Sequence, residues 1–231
     1  VQAPLYWFEK LKEGLKKHGL KQQSEYDSCL FYGKGITALV YADDVVFFGP
    51  DQAKIDKLIA NMKQDGFNIN VEKDFFHFLG VDITKSKDGK SYTLKQTGLI
   101  NKVLKTLKME KCNGKETPAL RAPLGADTHG LPFNEDWEYP SVVGMLFYLC
   151  SNSRPDIQYA VHQCARFNHC PRNSHAKAVK LIARYLKATK NQGLVFRLDR
   201  DMKFDMYADA DFAGLYDVED HGDPVCVKSR T

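Results

Sequence analysis

Two adjacent aspartates, Asp43 and Asp44, interrupt an otherwise apolar run, Leu39-Val40-Tyr41-Ala42-Asp43-Asp44-Val45-Val46-Phe47-Phe48. The β-branched and aromatic flanks read as strands, one over Ile36–Tyr41 and the next over Val45–Phe48. A chain that runs through a buried layer on both sides must bend at the two carboxylates. Like charges held together at a bend repel and raise each other's pKa, and a divalent cation removes that conflict. Mg²⁺ prefers carboxylate oxygens and fills its remaining positions with water and phosphate. Two such ions about 3.5–4 Å apart stabilise the attacking and leaving oxygens of phosphoryl transfer. The bare dipeptide also has a plainer account as a turn, since Asp favours turns.

The rest of the chain supplies both periodicities. Pro4–His18 reads as a helix on Leu5, Phe8, Leu11 and Leu15, closed by Gly19. Ser28–Tyr32 reads as a strand joined to Ile36–Tyr41 by a tight turn at Gly33-Lys34-Gly35. Gly49-Pro50-Asp51 opens a helix to about Gln64, with Ile55, Leu58, Ile59 and Met62 on its apolar side. Phe75–Thr84 reads as one strand, followed by a hairpin turn at Lys87-Asp88-Gly89-Lys90 into Ser91–Lys95. Thr97–Met109 is a helix with Leu99, Ile100, Val103, Leu104 and Leu107 on one face and Lys102, Lys105 and Lys108 on another. The segment from Cys112 to Glu138, rich in Pro, Gly and polar residues, reads as a long linker. Helices follow over Ser141–Cys150, Arg154–Phe167 and Ser174–Ala188, with Ser153 and Ser174 as N-caps. Gly193–Leu198 and Met202–Tyr207 read as strands. The fold class is α+β.

Composition sets limits on function. The 231 residues carry a net charge of +4 and 43% hydrophobic residues, as in an ordinary globular protein. No apolar run approaches the roughly 18–20 residues of a membrane helix, so no membrane partner is expected. The six cysteines show no C-x-x-C, and reduced thiols are expected. His162, Cys164, His169, Cys170 and His175 lie close in sequence without zinc spacing; Cys150 and Cys164 read as buried small hydrophobes. The charge is divided unevenly. Residues 1–117 hold 19 basic and 15 acidic side chains, residues 118–198 hold 10 and 5, and residues 199–231 hold 4 and 9. A body of +9 thus precedes a tail of −5. The basic stripe of Thr97–Met109 and that of Ser174–Ala188 (Lys177, Lys180, Arg184, Lys187) are candidate contacts for a nucleic-acid backbone, with a solvated helix face as the alternative.

Several strings in one order identify a family. Tyr41-Ala42-Asp43-Asp44 resembles the Y-x-D-D box of reverse transcriptases. Gln2-Ala3-Pro4 with Trp7 is similar to the Q-A-P segment of copia-type retrotransposon reverse transcriptases, Phe78-Leu79-Gly80 to their primer-grip F-L-G, and Ser153-Arg154-Pro155-Asp156-Ile157 to their S-R-P-D-I signature. Tyr207-Ala208-Asp209-Ala210-Asp211-Phe212 resembles the first strand of the attached ribonuclease H, which usually has Trp at the place of Phe212. The family also usually has Arg where this chain has Leu5.

The resemblance implies a fragment of an RNA-directed DNA polymerase. Residues 1–85 would be the C-terminal part of the palm, an antiparallel hairpin with helices. Residues 86–118 would be the thumb, 119–198 a linker and helical connection, and 199–231 the first strands of a truncated ribonuclease H-like domain. Asp43 and Asp44 would be catalytic metal ligands for two Mg²⁺ (or Mn²⁺) ions. Gln2 and Tyr41 would lie near nucleotide and primer, and Phe78, Leu79 and Gly80 would hold the primer strand. Lys102, Lys105 and Lys108 would touch the backbone, and Asp209 would be a ribonuclease H metal ligand. The implied partners are an RNA or DNA template–primer duplex, dNTP, and the rest of a polyprotein with fingers, integrase and complete ribonuclease H. The implied location is a cytoplasmic virus-like particle or the nucleus. A third polymerase aspartate upstream of Gln2 and further ribonuclease H carboxylates after Thr231 complete the family's ligand sets, so the chain by itself is expected to be inactive. The alternative is a decayed or repurposed fragment that binds nucleic acid without catalysis. The missing fingers also lead to the expectation of exposed apolar surface in the N-terminal part.

Overall fold

In the computed structural model, residues 2–22, 27–72, 76–197 and 205–208 are described. The chain divides into two units, residues 1–73 and 74–231, and the architecture is α+β, as expected.

The first unit is built on a four-stranded antiparallel sheet in the order β1-β2-β3-β4, with β1 at Lys21–Gln22, β2 at Leu30–Gly33, β3 at Ile36–Tyr41 and β4 at Asp44–Phe48. Helix α1 (Gln2–Lys17) precedes it and α2 (Gln52–Gln64) follows it. The turn between β2 and β3 has Lys34 at φ 54° and Gly35 at φ 77°, the double left-handed pair that matches strand twist. Asp51 caps α2 by accepting from the amides of Ala53 and Lys54 at 3.1 and 3.3 Å, which satisfies two of its orphan donors. Alternation along β3 buries Ile36, Ala38 and Val40. Across the sheet, Phe31 opposite Ala38 lies on the same side. This side packs with Leu11 and Leu15 of α1 and Ile55, Leu58 and Met62 of α2. Lys17 and His18 both bond Asp65, at 2.6 and 2.8 Å, and so tie the end of α1 to the end of α2. The other side of the sheet carries Tyr32, Tyr41 and Phe48, which stay 45–57% exposed.

The second unit has its own antiparallel sheet, in the order β5-β6-β7-β8. Its strands are β5 at His77–Phe78, β6 at Val81–Lys85, β7 at Ser91–Lys95 and β8 at Leu194–Arg197. The single strand expected over Phe75–Thr84 is instead broken at Leu79-Gly80. Both residues have positive φ, 50° and 72°, so they make a two-residue turn between β5 and β6 rather than continuing the strand. The next turn is held by Asp88, which accepts from Ser86 Oγ at 2.5 Å and the Lys90 amide at 3.0 Å. Helix α3 (Thr97–Thr106) packs with α4 (Tyr139–Asn152), α5 (Gln158–Ala165) and α6 (Asn173–Ala188) around Ile100, Val103, Leu146, Val161, Val179 and Ile182, each at most 1% exposed.

Other expectations change as well. The helix expected from Arg154 begins as a 3-10 turn, Pro155–Ile157, before α5. Ser153 is not an N-cap but the residue that closes α4, its amide bonding the Leu149 carbonyl, and its Oγ donates to Gln96 Oε1 at 2.7 Å in the interior. Ser174 lies inside the first turn of α6, and its hydroxyl donates to Asp127 at 2.5 Å. The segment expected as a linker contains no helix or strand longer than one bridge, Pro132 to Arg172, yet it buries Leu124 and Trp137 in the helical core. Half of the strand expected over Met202–Tyr207 lies outside the described residues, and 205–208 form no regular element. Among the described residues, no helix is long and apolar enough to cross a membrane.

Candidate active site

Strands β3 and β4 pair from Thr37–Phe48 to Tyr41–Asp44. The hairpin loop is therefore only Ala42 and Asp43. Register fixes the directions of the side chains. Val40 and Val45 point together toward the core, so their neighbours Tyr41 and Asp44 stand together on the exposed side, with Asp43 at the tip. Ala42 adopts φ 48°, which is unfavourable by about 1–2 kcal/mol for a residue with a Cβ. The indole of Trp7, in α1, donates from Nε1 to the Ala42 carbonyl at 3.3 Å. Trp7 is itself braced edge-on by Phe67, with ring centroids 6.1 Å apart. The first turns of α1 thereby hold the corner that displays the carboxylates.

Neither the Asp43 nor the Asp44 carboxylate has a hydrogen-bond or ion-pair partner among the described residues, and both residues are exposed. Two unpaired hard-oxygen donors next to each other suit Mg²⁺, which commonly takes one or two carboxylates and completes its shell with water and substrate phosphates. Among the described residues, no group of three His, Cys, Asp or Glu side chains comes together. The pair by itself could supply only part of a metal ion's shell.

Of the other candidates, Gln2 opens α1, the helix that carries Trp7. Phe78, Leu79 and Gly80 form the corner of the β5–β6 hairpin and belong to the second unit. Lys102, Lys105 and Lys108 are all exposed along or just beyond α3; Lys108 pairs with Asp136, which raises the lysine's pKa and holds the carboxyl below its usual range. The basic stripe of α6 is largely used internally. Lys180 pairs with Glu135 at 2.6 Å, Arg184 Nε donates to the Asn113 carbonyl at 2.7 Å, and Lys187 donates to the Glu110 carbonyl. These bonds tie the irregular segment down onto the helix. Asp209 lies outside the described residues. Cys164 is buried, and burial pushes its thiol up to about 12, as suits an inert core residue.

The charge pattern of the sequence does not single out two networks. Arg154 is 1% exposed. It bonds Asp156 through Nε and Nη2 at 2.9 and 2.7 Å, and Thr189 through its carbonyl and hydroxyl at 3.2 and 2.6 Å. Tyr185 closes the network by donating to Asp156 at 2.7 Å. The S-R-P-D-I string is thus a buried knot joining the α4–α5 corner to the end of α6. His175 is fully buried and stacks on Phe167 at 4.1 Å. Its Nδ1 accepts from the Arg172 amide and its Nε2 donates to the Gly125 carbonyl, each at 2.9 Å. Only a neutral ring can do both, and burial pushes its pKa down.

Residues 1–121 match the family described as reverse transcriptase (RNA-dependent DNA polymerase). The chain is 32% identical over 217 residues to the retrovirus-related Pol polyprotein from transposon RE1 of Arabidopsis thaliana, covering 92% of this chain and 14% of that protein. It is 31% identical over 229 residues to that from transposon TNT 1-94 of Nicotiana tabacum, covering 94% of this chain and 17% of that protein. With the putative transposon Ty5-1 protein of Saccharomyces cerevisiae it shares 28% identity over 229 residues, 94% of this chain and 71% of that protein. The chain thus spans about one seventh of the length of the plant polyproteins RE1 and RE2 that it matches. No solved structure matches the chain.

Proposed function

The chain belongs to the reverse transcriptase (RNA-dependent DNA polymerase) family, and from that premise we propose that it is the palm-to-connection portion of a copia-type retrotransposon polymerase. Asp43 and Asp44 are two of its catalytic carboxylates. The reading assigns 1–85 to the palm, with its last hairpin carried on the second unit, 86–118 to the thumb, 119–198 to the linker and helical connection, and 199–231 to the start of a ribonuclease H-like domain. Asp209 is its first metal ligand there.

The observation that carries the reading is the hairpin itself. Its register puts Tyr41 and Asp44 side by side on the exposed face with Asp43 at the tip, and Trp7 holds the corner. In the reaction proposed, the primer 3′-oxygen gives up its proton to water and attacks the α-phosphorus of dNTP; a new P–O bond forms, the bond from that phosphorus to the oxygen bridging the β-phosphate breaks, and pyrophosphate leaves. Mg²⁺ held by Asp43 and Asp44 would supply charge stabilisation for the two oxygens in flight. The chain's own part is to present two fixed, unpaired carboxylates, to place Tyr41 beside the primer terminus, and to exclude misalignment through a hairpin with no slack. The exposed lysines of α3, Lys102 and Lys105, supply backbone contacts. The further partners proposed are the upstream and downstream parts of the polyprotein, in a cytoplasmic particle or the nucleus.

The test is Mn²⁺ relaxation in an amide-resolved NMR spectrum of the chain with template–primer and dNTP. Selective broadening of Tyr41 to Val45, lost in Asp43→Asn with Asp44→Asn, is the expected result. Duplex binding with no such broadening would favour the non-catalytic nucleic-acid-binding reading instead. Primer extension by the same 231 residues should stay at background with Mg²⁺ or Mn²⁺; incorporation would overturn the expectation that they need further carboxylates.

A further inference from the structure

We propose that Tyr148 is a positioning residue for the primer: from α4 it holds the Leu79 carbonyl, and with it the Phe78-Leu79-Gly80 corner, in a fixed place. The proposal rests on the reading of that corner as the primer-holding hairpin. Tyr148 lies outside residues 1–121, the part that matches the reverse transcriptase family, so it assigns a role in primer binding to the helical region that follows.

The ladder holds the hairpin from one side only. Strand β5 is two residues long and lies at the edge of the four-stranded sheet, pairing His77 with Asp82 and Phe78 with Val81; the Ile83 amide also bonds the Phe76 carbonyl at 2.8 Å and the His77 and Asp82 side chains meet at 2.9 Å, but none of these bonds is made by the corner residues Leu79 and Gly80. Its corner places Leu79 at φ 50°, a conformation that residues with a Cβ avoid. The Tyr148 hydroxyl donates to the Leu79 carbonyl at the corner at 2.6 Å, short for an O–H···O bond.

Helix α4 is a firm base for that bond. Leu146 and Leu149 flank Tyr148 and are fully buried, and Asn152 donates to the Tyr148 carbonyl at 2.8 Å one turn later. The same helix is fixed a second time at its end, where Ser153 donates to Gln96 at 2.7 Å, between β7 and α3. Two bonds from one helix thus brace the sheet at Gln96 and the hairpin at Leu79. Tyr148 remains 42% exposed, so core filling does not explain its place; its hydroxyl reaches a defined acceptor.

Tyr148→Phe in the full 231-residue chain keeps the ring and removes the bond. Hydrogen exchange at the Gly80 and Val81 amides should speed up by about threefold to tenfold, with exchange in α3 and α6 unchanged. In fluorescence anisotropy titrations, the preference for a template–primer with a recessed 3′ end over the same template single-stranded should fall by about threefold or more. A purely structural bond would move the first reading and leave the second alone, and that result overturns the proposal. Unchanged exchange at Gly80 and Val81 overturns it too. Phe78→Ala separates the underlying reading. If that variant also keeps its preference for the recessed end, the hairpin does not hold primer and both fall. If it loses the preference while Tyr148→Phe keeps it, only the positioning role falls.

Discussion

Replacing Arg154 with Met tests the physical account of the helical region most directly. The side chain of Arg154 is 2% exposed and that of Asp156 is 36% exposed. The change removes two charge-assisted bonds to Asp156 and two to Thr189. It also removes the guanidinium that sits over the Tyr185 ring at 5.4 Å. All four come from the charged guanidinium, and bonds to a charged group are worth about 1.5–3 kcal/mol each before the exposed partners rehydrate. Because Asp156 can rehydrate, screening discounts the first pair, whereas Met keeps most of the apolar stem's packing. The net loss comes to about 3 kcal/mol, the lower end of the roughly 3–5 kcal/mol for breaking a fully buried pair. At roughly 2–4 °C per kcal/mol for a unit of this size, Tm falls by about 6–12 °C. Thermal unfolding followed by near-ultraviolet circular dichroism reads this, and a shift under about 2 °C would refute the claim that the knot holds the α4–α5 corner to α6. The network also has a pH signature. Burial pushes the Asp156 carboxyl up, but bonds from Arg154 and Tyr185 outweigh burial and hold it lower than its ordinary 3.8. Its contribution is therefore complete well above pH 3.8 and fades as pH falls through the lowered folded value. Arg154→Met should flatten that acid limb.

Trp7→Phe removes the bond to Ala42 while keeping an aromatic ring against Phe67. The expected cost is about 1 kcal/mol, read as faster hydrogen exchange at Asp43 and Asp44, and unchanged exchange there would show that the corner holds itself. His175 is neutral in the fold and has a lowered pKa, so the unfolded chain takes up its proton first on acidification. Stability should hold above pH 6.5 and decline below it, and His175→Gln should lessen that decline between pH 6.5 and pH 5 in a Tm series. Equal slopes in the two proteins would contradict the neutral, doubly bonded ring.

Much of the first unit was legible because its signals are local. The spacing of Leu11 and Leu15, and of Ile55, Leu58 and Met62, identifies amphipathic helices, and these residues are buried. Alternation from Ile36 to Tyr41 gives a strand with those bounds. The hairpin corner between Leu39 and Phe48 follows from polarity alone, since only the two aspartates resist burial. The β5–β6 turn was not legible, because Leu at its first position disguises a left-handed corner that Gly would have advertised. The segment after Cys112 reads as a linker by composition, yet Leu124 and Trp137 enter the core. Its irregular backbone is satisfied by side chains of α6, a pairing that no local pattern encodes.

By itself, then, the sequence determined the α+β class, the paired carboxylates at a bend, and, through motif order, the family. Those are properties of short stretches, where periodicity, turn chemistry and charge act between near neighbours. Only the tertiary structure decided which groups brace the candidate residues and which tie down the irregular segment. Trp7 reaches Ala42 across 35 residues, Tyr148 reaches Leu79 across 69, and Arg184 reaches Asn113 across 71. Such bonds depend on where packed helices come to rest, and many different sequence separations can bring a donor to the same carbonyl. The fate of the basic side chains was decided in the same way. On a bare helix the lysines of α3 and the lysines and arginine of α6 look alike, but the α6 set lies under an irregular segment with open carbonyls and carboxylates, and most of it is spent there.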